Sequence, residues 1–144
     1  MIDVRWGQAI TFGSRGSAKT AAPAGLDFTE GDASWTTAEF CGFQFRLPAS
    51  QRDVVGRLNI SPYLLKDKVL RQEVWIFLNG LLASYNIVTA PAEISFTVPK
   101  PIVTARDVQL RLVIPTAAQP KALGVSADER RLGLLLREVA FAAG

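Results

Sequence analysis

The chain has 144 residues, of which 49% are hydrophobic and 20% charged, and its 16 Lys and Arg residues outnumber its 13 Asp and Glu residues to give a net charge of +3. This is the length and composition of one globular domain, residues 1–144, and it excludes a disordered chain and a membrane-spanning helix. The absence of histidine excludes Ser–His–Asp and Cys–His catalysis and removes the commonest metal ligand, so neither a metal nor another cofactor is expected.

The charge pattern and the N-terminal sequence indicate which binding partners and which cellular compartment to expect. Lys and Arg never occur in runs longer than two, so nucleic-acid binding is not expected. Asp3 interrupts the apolar residues at the N-terminus, so this segment does not have the pattern of a signal peptide. We expect a cytoplasmic protein if the chain is complete, and a periplasmic domain if it is part of a larger membrane protein. The single cysteine, Cys41, lies among aromatic residues, which predicts a buried thiol.

The first 25 residues give weak structural signals. Ile2, Val4 and Trp6 alternate with polar residues and predict an N-terminal strand that could form a sheet edge. The segment GSRGSAKTAAPAG, residues 13–25, predicts a flexible surface loop, or alternatively a binding loop.

Five segments with alternating apolar and polar residues predict strands between residues 37 and 115. The segments are TAEFCGFQFRLP (37–48), DVVGRLNISP (53–62), EVWIFLNGLLASYNIV (73–88), AEISFTVP (92–99) and DVQLRLVIP (107–115). In the third, Asn79-Gly80 is typical of a type I′ turn, so this segment is a predicted hairpin. Trp75 and Phe77 make the second face of its first strand apolar, which indicates a strand covered on both sides, an exposed platform or an oligomer interface.

The tail LGVSADERRLGLLLREVAF, residues 123–141, fits two structures. Ser126 and Glu129 form a capping-box pattern before a helical apolar spacing. Leu135, Val139 and Phe141 also suit a strand. We predict one self-capped helical turn over 126–130 and then a strand from about Leu132, because tertiary pairing overrides helix propensity.

Short strands at regular spacing with Gly and Pro between them predict an all-β fold. The expected architecture is an antiparallel β-sandwich of the jelly-roll type with roughly eight to ten strands.

Several blocks resemble a family of bacterial β-sandwich domains attached to, or found beside, glycosyltransferase-type membrane proteins of surface-polysaccharide assembly. The blocks are GLDFTEGDASWT (25–36), VWIFLNG (74–80) and LGVSADERRLGL (123–134). The resemblance implies a carbohydrate-binding-module-like jelly roll and a setting in glycan synthesis or export. Leu26 stands where that family usually has an aromatic residue, and Ala33 where it has glycine.

Two clusters are candidate ligand contacts. Glu30, Asp32 and Trp35 could bind a sugar, with the ring stacking on the apolar C–H face and the carboxylates accepting hydroxyl protons. Alternatively, Trp35 anchors the core and Glu30 ties a loop. Asp128 and Arg130 could hold an acidic sugar or a phosphate, or could form a structural ion pair.

The leading hypothesis is a non-catalytic carbohydrate-binding or accessory module of bacterial polysaccharide biosynthesis, with no catalytic residue assigned. Its expected partner is a glycan or a glycan-assembly enzyme, without membrane insertion. One alternative is a structural or oligomerisation domain that uses the Trp75 and Phe77 face or the Trp6 edge. A third is a carboxylate-dependent glycosidase, although no pair of acidic residues stands out.

Overall fold

The computed structural model describes residues 1–29 and 31–143, and this part of the chain contains ten strands, one 3₁₀ helix and one short α-helix. The strands are β1 (Ile2–Asp3), β2 (Ile10–Thr11), β3 (Ser34–Trp35), β4 (Phe40–Arg46), β5 (Val54–Pro62), β6 (Gln72–Leu78), β7 (Leu81–Val88), β8 (Ala92–Val98), β9 (Asp107–Val113) and β10 (Leu134–Ala143). The 3₁₀ helix is Ser17–Thr20 and the α-helix α1 is Lys100–Ala105. No helix in these two described ranges has both the length and the apolar character needed to cross a membrane.

The strands form two sheets that pack face to face. Sheet A has the order β1-β4-β9-β6-β7, and sheet B has the order β2-β10-β5-β8. The short strand β3 pairs with β10 beside β2, so two short strands share one edge of β10. All pairs are antiparallel except β1 with β4. The predicted jelly-roll sandwich is confirmed, including the five strand segments between residues 37 and 115.

Inward-facing residues from both sheets form one core with a continuous row of aromatic rings. Phe43 lies between Phe12 and Phe45 at ring-centre distances of 5.5 and 5.8 Å, and Phe141 lies 4.8 Å from Phe45. Cys41 is fully buried beside them, and burial raises the pKa of its thiol to about 12. The predicted buried thiol is therefore confirmed.

The hairpin between β6 and β7 forms as predicted. Asn79 and Gly80 have φ values of +50° and +83°, the positive angles that a type I′ turn requires. The Asn79 side chain also accepts a hydrogen bond from the Gln109 N–H at 2.7 Å and donates one to the Asp107 carbonyl at 3.1 Å. The turn is thereby tied to the neighbouring strand β9.

The chain closes with a strand. β10 pairs with β5 from Leu134 to Ala143, so the prediction of a terminal strand is confirmed. The helical turn predicted over 126–130 is wrong. The Ser126 hydroxyl accepts the Asp128 N–H at 3.2 Å, and the Asp128 carboxylate accepts the Arg130 N–H at 2.9 Å. Bonds to N–H groups two residues ahead produce successive bends and compete with a helical ladder.

Two expectations for the N-terminal segment also need correction. β1 ends at Asp3, and Trp6 lies in a turn that the Gln8 N–H closes on the Arg5 carbonyl at 3.1 Å. The predicted strand through Trp6 is therefore wrong. Residues 13–25 are only in part a surface loop, because Ala18 in the 3₁₀ helix and Ala21 directly after it are completely buried.

Candidate functional site

A β-bulge in β10 places two adjacent charged side chains on the outer face of sheet B. The register between β10 and β5 shifts between Leu136 and Glu138, so Arg137 is an extra residue in the ladder. A bulge turns side chains that would otherwise alternate, and here Arg137 and Glu138 are both exposed. The Arg137 guanidinium donates a hydrogen bond to the Ser61 hydroxyl on β5.

Two loops form a rim above this bulge. The Ser14 N–H donates to the Gly31 carbonyl at 3.0 Å, and the Gly13 N–H donates to the buried Ser34 hydroxyl at 2.9 Å. A Cβ atom at Gly13 would lie 2.3 Å from the Gly31 carbonyl oxygen, and the φ of Gly13 is +89°. Only glycine permits this close approach, so the sequence at position 13 fixes how tightly the loops meet.

The rim and the bulge enclose an open cleft of about 690 Å³. Its charged lining residues are Arg15, Asp32, Arg137 and Glu138, and Asn59 contributes an amide. Two positive and two negative side chains balance one another among the described residues. The cleft therefore offers many hydrogen-bond donors and acceptors without a strong net charge.

Trp35 lies on the same outer face, at the end of sheet B next to the cleft. It pairs with Leu135 on β10, and its ring meets the Tyr63 ring edge-on at 6.1 Å between centres. Trp35 is half-buried, so part of the ring remains available to solvent. Its position thus combines features of both predicted roles, packing and an accessible aromatic surface.

Buried hydroxyl groups hold β3, and with it Trp35, against β10. The Thr36 hydroxyl accepts the N–H groups of Gly133 at 3.1 Å and Leu134 at 3.0 Å. These side-chain bonds add to the backbone hydrogen bond that the Thr36 N–H donates to the Leu134 carbonyl at 2.8 Å.

Arg130 joins two loops through a compact ion-pair cluster. Its guanidinium donates to Asp128 at 2.7 Å and to Asp27 at 2.8 Å. The pKa of Asp128 falls to about 2, chiefly because the Arg130 side chain bonds to its carboxylate. The pKa of Asp27 is also lowered, first by the hydrogen bond from the Thr29 hydroxyl. The Asp27 N–H donates to the Trp35 carbonyl at 3.0 Å, so the cluster adjoins β3.

The structure therefore brings three of the four predicted site residues, Trp35, Asp128 and Arg130, into one region. The fourth, Glu30, lies outside the described residues. Sequence reasoning missed Arg137 and Glu138. The available signal was two consecutive charged residues between Leu136 and Val139, which breaks strand alternation and is typical of a bulge.

Two further acidic side chains lie in ion pairs away from the cleft. Asp107 pairs with Arg46 at 2.8 Å, and Glu39 approaches Arg131 at 3.4 Å. Within residues 1–29 and 31–143, no group of three or more Cys, Asp or Glu side chains is arranged to hold a metal ion.

No protein-family model and no curated protein sequence matches this chain. By structure, the chain has the jelly-roll fold of carbohydrate-binding modules. It is similar to the family 6 module CsCBM6-3 of Clostridium stercorarium, solved in complex with cellobiose, with a TM-score of 0.55 and 10% identity over 100% of this chain and 98% of that one.

A second similar structure is the CBM36-1 domain of a multidomain xylanase from the hindgut metagenome of Trinervitermes trinervoides. The TM-score is 0.56 and the identity 8%, over 95% of this chain and 97% of that domain. A third similar structure is the family GH115 4-O-methyl-α-glucuronidase BtGH115A, with a TM-score of 0.56 and 13% identity. The match covers 97% of this chain but only 18% of that enzyme. At these identities the likeness shows the fold alone.

Proposed function

We propose that this chain is a non-catalytic carbohydrate-binding module whose ligand occupies the cleft on the outer face of sheet B. The observation that carries the proposal is the bulge that exposes Arg137 and Glu138 side by side in the cleft. Bulges are common next to binding sites because they redirect side chains. The fold shared with carbohydrate-binding modules is a supporting argument by analogy.

The chemistry of the cleft suits a neutral glycan. Sugar hydroxyls both donate and accept hydrogen bonds, so they can pair with the guanidinium of Arg137, the carboxylate of Asp32 and the amide of Asn59. The charged lining residues that the structure describes balance, and the proposed contact Glu30 would add a negative charge, so there is no reason to prefer an anionic ligand. The proposed ligand class is therefore an uncharged, hydroxyl-rich oligosaccharide.

The predicted contact residues take different parts in this proposal. The exposed part of Trp35 provides an apolar surface for a sugar ring at the end of the cleft. For Asp128 and Arg130 the geometry favours a structural ion pair, because each bonds to the other and Arg130 also bonds to Asp27. Their proposed role is to hold the loop beside Trp35. The proposed contact at Glu30 rests on its place in the sequence beside the cleft residue Gly31.

The biological setting is a separate part of the proposal. The resemblance of blocks 25–36 and 123–134 to domains of bacterial surface-polysaccharide assembly supports an accessory module that brings glycan to an assembly enzyme. Block 25–36 contains the cleft residues Gly31 to Ala33 and the strand β3. One of the three blocks that carry the resemblance thus contributes to the proposed ligand cleft.

The test is titration calorimetry and affinity electrophoresis with a panel of soluble neutral polysaccharides. Arg137→Ala should weaken binding about 10- to 100-fold, because a hydrogen bond to a charged group contributes about 1.5–3 kcal/mol. Arg52→Ala removes an exposed arginine outside the cleft and serves as the matched control. Wild-type protein that binds no glycan, or Arg137→Ala protein that binds like wild type, would overturn the proposal.

The same samples address catalysis. Incubation of wild-type protein with aryl glycosides should release no phenol. Release that disappears in Glu138→Gln or Asp32→Asn would show a carboxylate-dependent glycosidase and contradict the non-catalytic assignment.

A further inference from the structure

The outer face of sheet A carries a broad exposed apolar surface, on the opposite side of the sandwich from the cleft. This apolar face consists of Phe40 on β4, Trp75 and Phe77 on β6, and Leu82, Tyr85 and Ile87 on β7. Strand register places Phe40, Val113, Trp75 and Tyr85 in one row across four neighbouring strands. Phe77 and Leu82 follow in the next row. The face is therefore continuous and crosses most of the sheet.

The exposed apolar area of this face is large for a surface that contacts only water. The exposed fractions are 49% for Phe40, 54% for Leu82, 42% for Tyr85 and 53% for Ile87. With Trp75 and Phe77 half-buried, these fractions amount to an apolar area on the order of 500 Å², near the upper end of the patches that monomers expose. A standard protein interface buries roughly 800 Å² on each partner, so this face supplies more than half of that area and its rim must supply the rest.

The details of the apolar face do not suit a sugar. The Trp75 and Tyr85 rings are 4.3 Å apart but inclined at 44°, so they do not form a flat platform. The Arg111 guanidinium lies over the Phe40 ring at 5.7 Å. Leu82 and Ile87 offer no partner for hydroxyl groups, so a sugar lying over these two side chains would lose hydrogen bonds to water without replacement. These features indicate a protein with an equally apolar surface.

Charge at the rim is mixed and weak. Glu73 accepts a hydrogen bond from the Tyr85 hydroxyl at 2.6 Å and lies 3.8 Å from Arg71. The central rows contain one charged side chain, Arg111, which covers Phe40. With one central charge and a mixed rim, this surface does not select a strongly acidic or a strongly basic partner.

We propose that two copies of this chain pack face to face through their apolar faces and form a symmetric dimer. A two-fold axis lets the same patch serve both partners. Sheets of this kind pack about 10 Å apart with interdigitating side chains, as the two sheets within the sandwich do. The dimer leaves the cleft of each copy uncovered, so this inference does not depend on the proposed glycan.

The test is sedimentation velocity and light scattering after size exclusion over a range of concentrations. Wild-type protein should show twice the single-chain mass of 15.6 kDa. Ile87→Lys and Leu82→Lys, which place a charge in the interface, should each weaken association about 30-fold or more. Val125→Lys, at a 45% exposed apolar residue in the loop before β10, is the matched control and should dimerise like wild type.

Each outcome supports or overturns the dimer. Wild-type protein that stays monomeric up to about 1 mM, a concentration corresponding to negligible affinity, would overturn it. Dimers that persist in Ile87→Lys, or that disappear equally in Val125→Lys, would also overturn it because the interface would lie elsewhere. Circular dichroism checks that each variant folds. If Ile87→Lys unfolds, the association measured for Leu82→Lys, beside the hairpin, decides the test.

Discussion

The outer faces of the two sheets are built in different ways. On sheet A the strands β4, β6, β7 and β9 are seven or eight residues long, and the outer face across β6 and β7 is apolar although their pairing shifts register between Ile76 and Phe77. The edge of sheet B consists of two-residue strands, β2 and β3, held by side-chain hydroxyls beside a bulge. Both sheets contain a register shift, but the shift in sheet A lies among apolar side chains, whereas the shift in sheet B exposes Arg137 and Glu138. The two faces are therefore suited to different partners.

The largest expected effect comes from breaking the attachment of β3. Thr36→Val keeps the shape of the side chain but leaves the buried N–H groups of Gly133 and Leu134 without their acceptor. The free energy of unfolding should fall by about 2–4 kcal/mol. Chemical denaturation measures it, with Thr97→Val on an exposed strand position of sheet B as the control. Equal stability of the two variants would mean that side-chain hydroxyls do not hold this edge.

The next effect concerns the bulge. Deleting Arg137 restores a regular ladder, because Leu136 pairs with Ile60 and Glu138 with Asn59. Stability should fall by no more than about 1–2 kcal/mol, from loss of the bond between the Phe12 N–H and the Arg137 carbonyl. Glycan affinity should fall further than in Arg137→Ala, since the deletion also flattens the surface under Glu138. A deletion variant that binds glycan normally would separate the bulge from ligand binding.

The smallest expected effect is electrostatic. The folded-state pKa of Asp128 is about 2, below its ordinary value of 3.8, so its ion pair stabilises the fold above about pH 4. That contribution disappears as the pH falls through about 2. Asp128→Asn lacks it, so its melting temperature should fall less steeply than that of wild type between pH 4 and pH 2.

The variant Arg130→Gln provides a matched test over the same pH range. It removes the guanidinium that lowers the pKa of Asp128 and should flatten the pH dependence in the same way. Identical pH profiles for wild type and both variants would show that this cluster does not contribute to stability.

The sequence predicts regular structure well and irregular structure poorly. Alternation in β4 to β9 reflects one buried and one outer face along each strand, and those elements form as predicted. The terminal strand follows because pairing with β5 outweighs local helix propensity. The helical turn over 126–130 and the strand through Trp6 fail because individual side chains and turns set the backbone there, and such bonds leave no periodic pattern.

The candidate site is predicted only in part for the same reason. Trp35, Asp128 and Arg130 come from segments with recognisable patterns, and the structure gathers them around β3. Their meeting depends on pairing between positions about 100 residues apart, such as Asp27 with Arg130. The cleft itself depends on a register shift in β10. The two consecutive charged residues at 137–138 indicate this shift, but they do not show where it lies relative to the loops.

Cys41 has a practical consequence for these measurements. It is the chain's single cysteine, it is fully buried, and its thiol has a pKa of about 12. Thiolate is the reactive form, so the folded protein should resist maleimide reagents near neutral pH. A cysteine introduced on the surface would then be the one labelled position, and a dye or spin probe attached there would report distance without background from the native thiol.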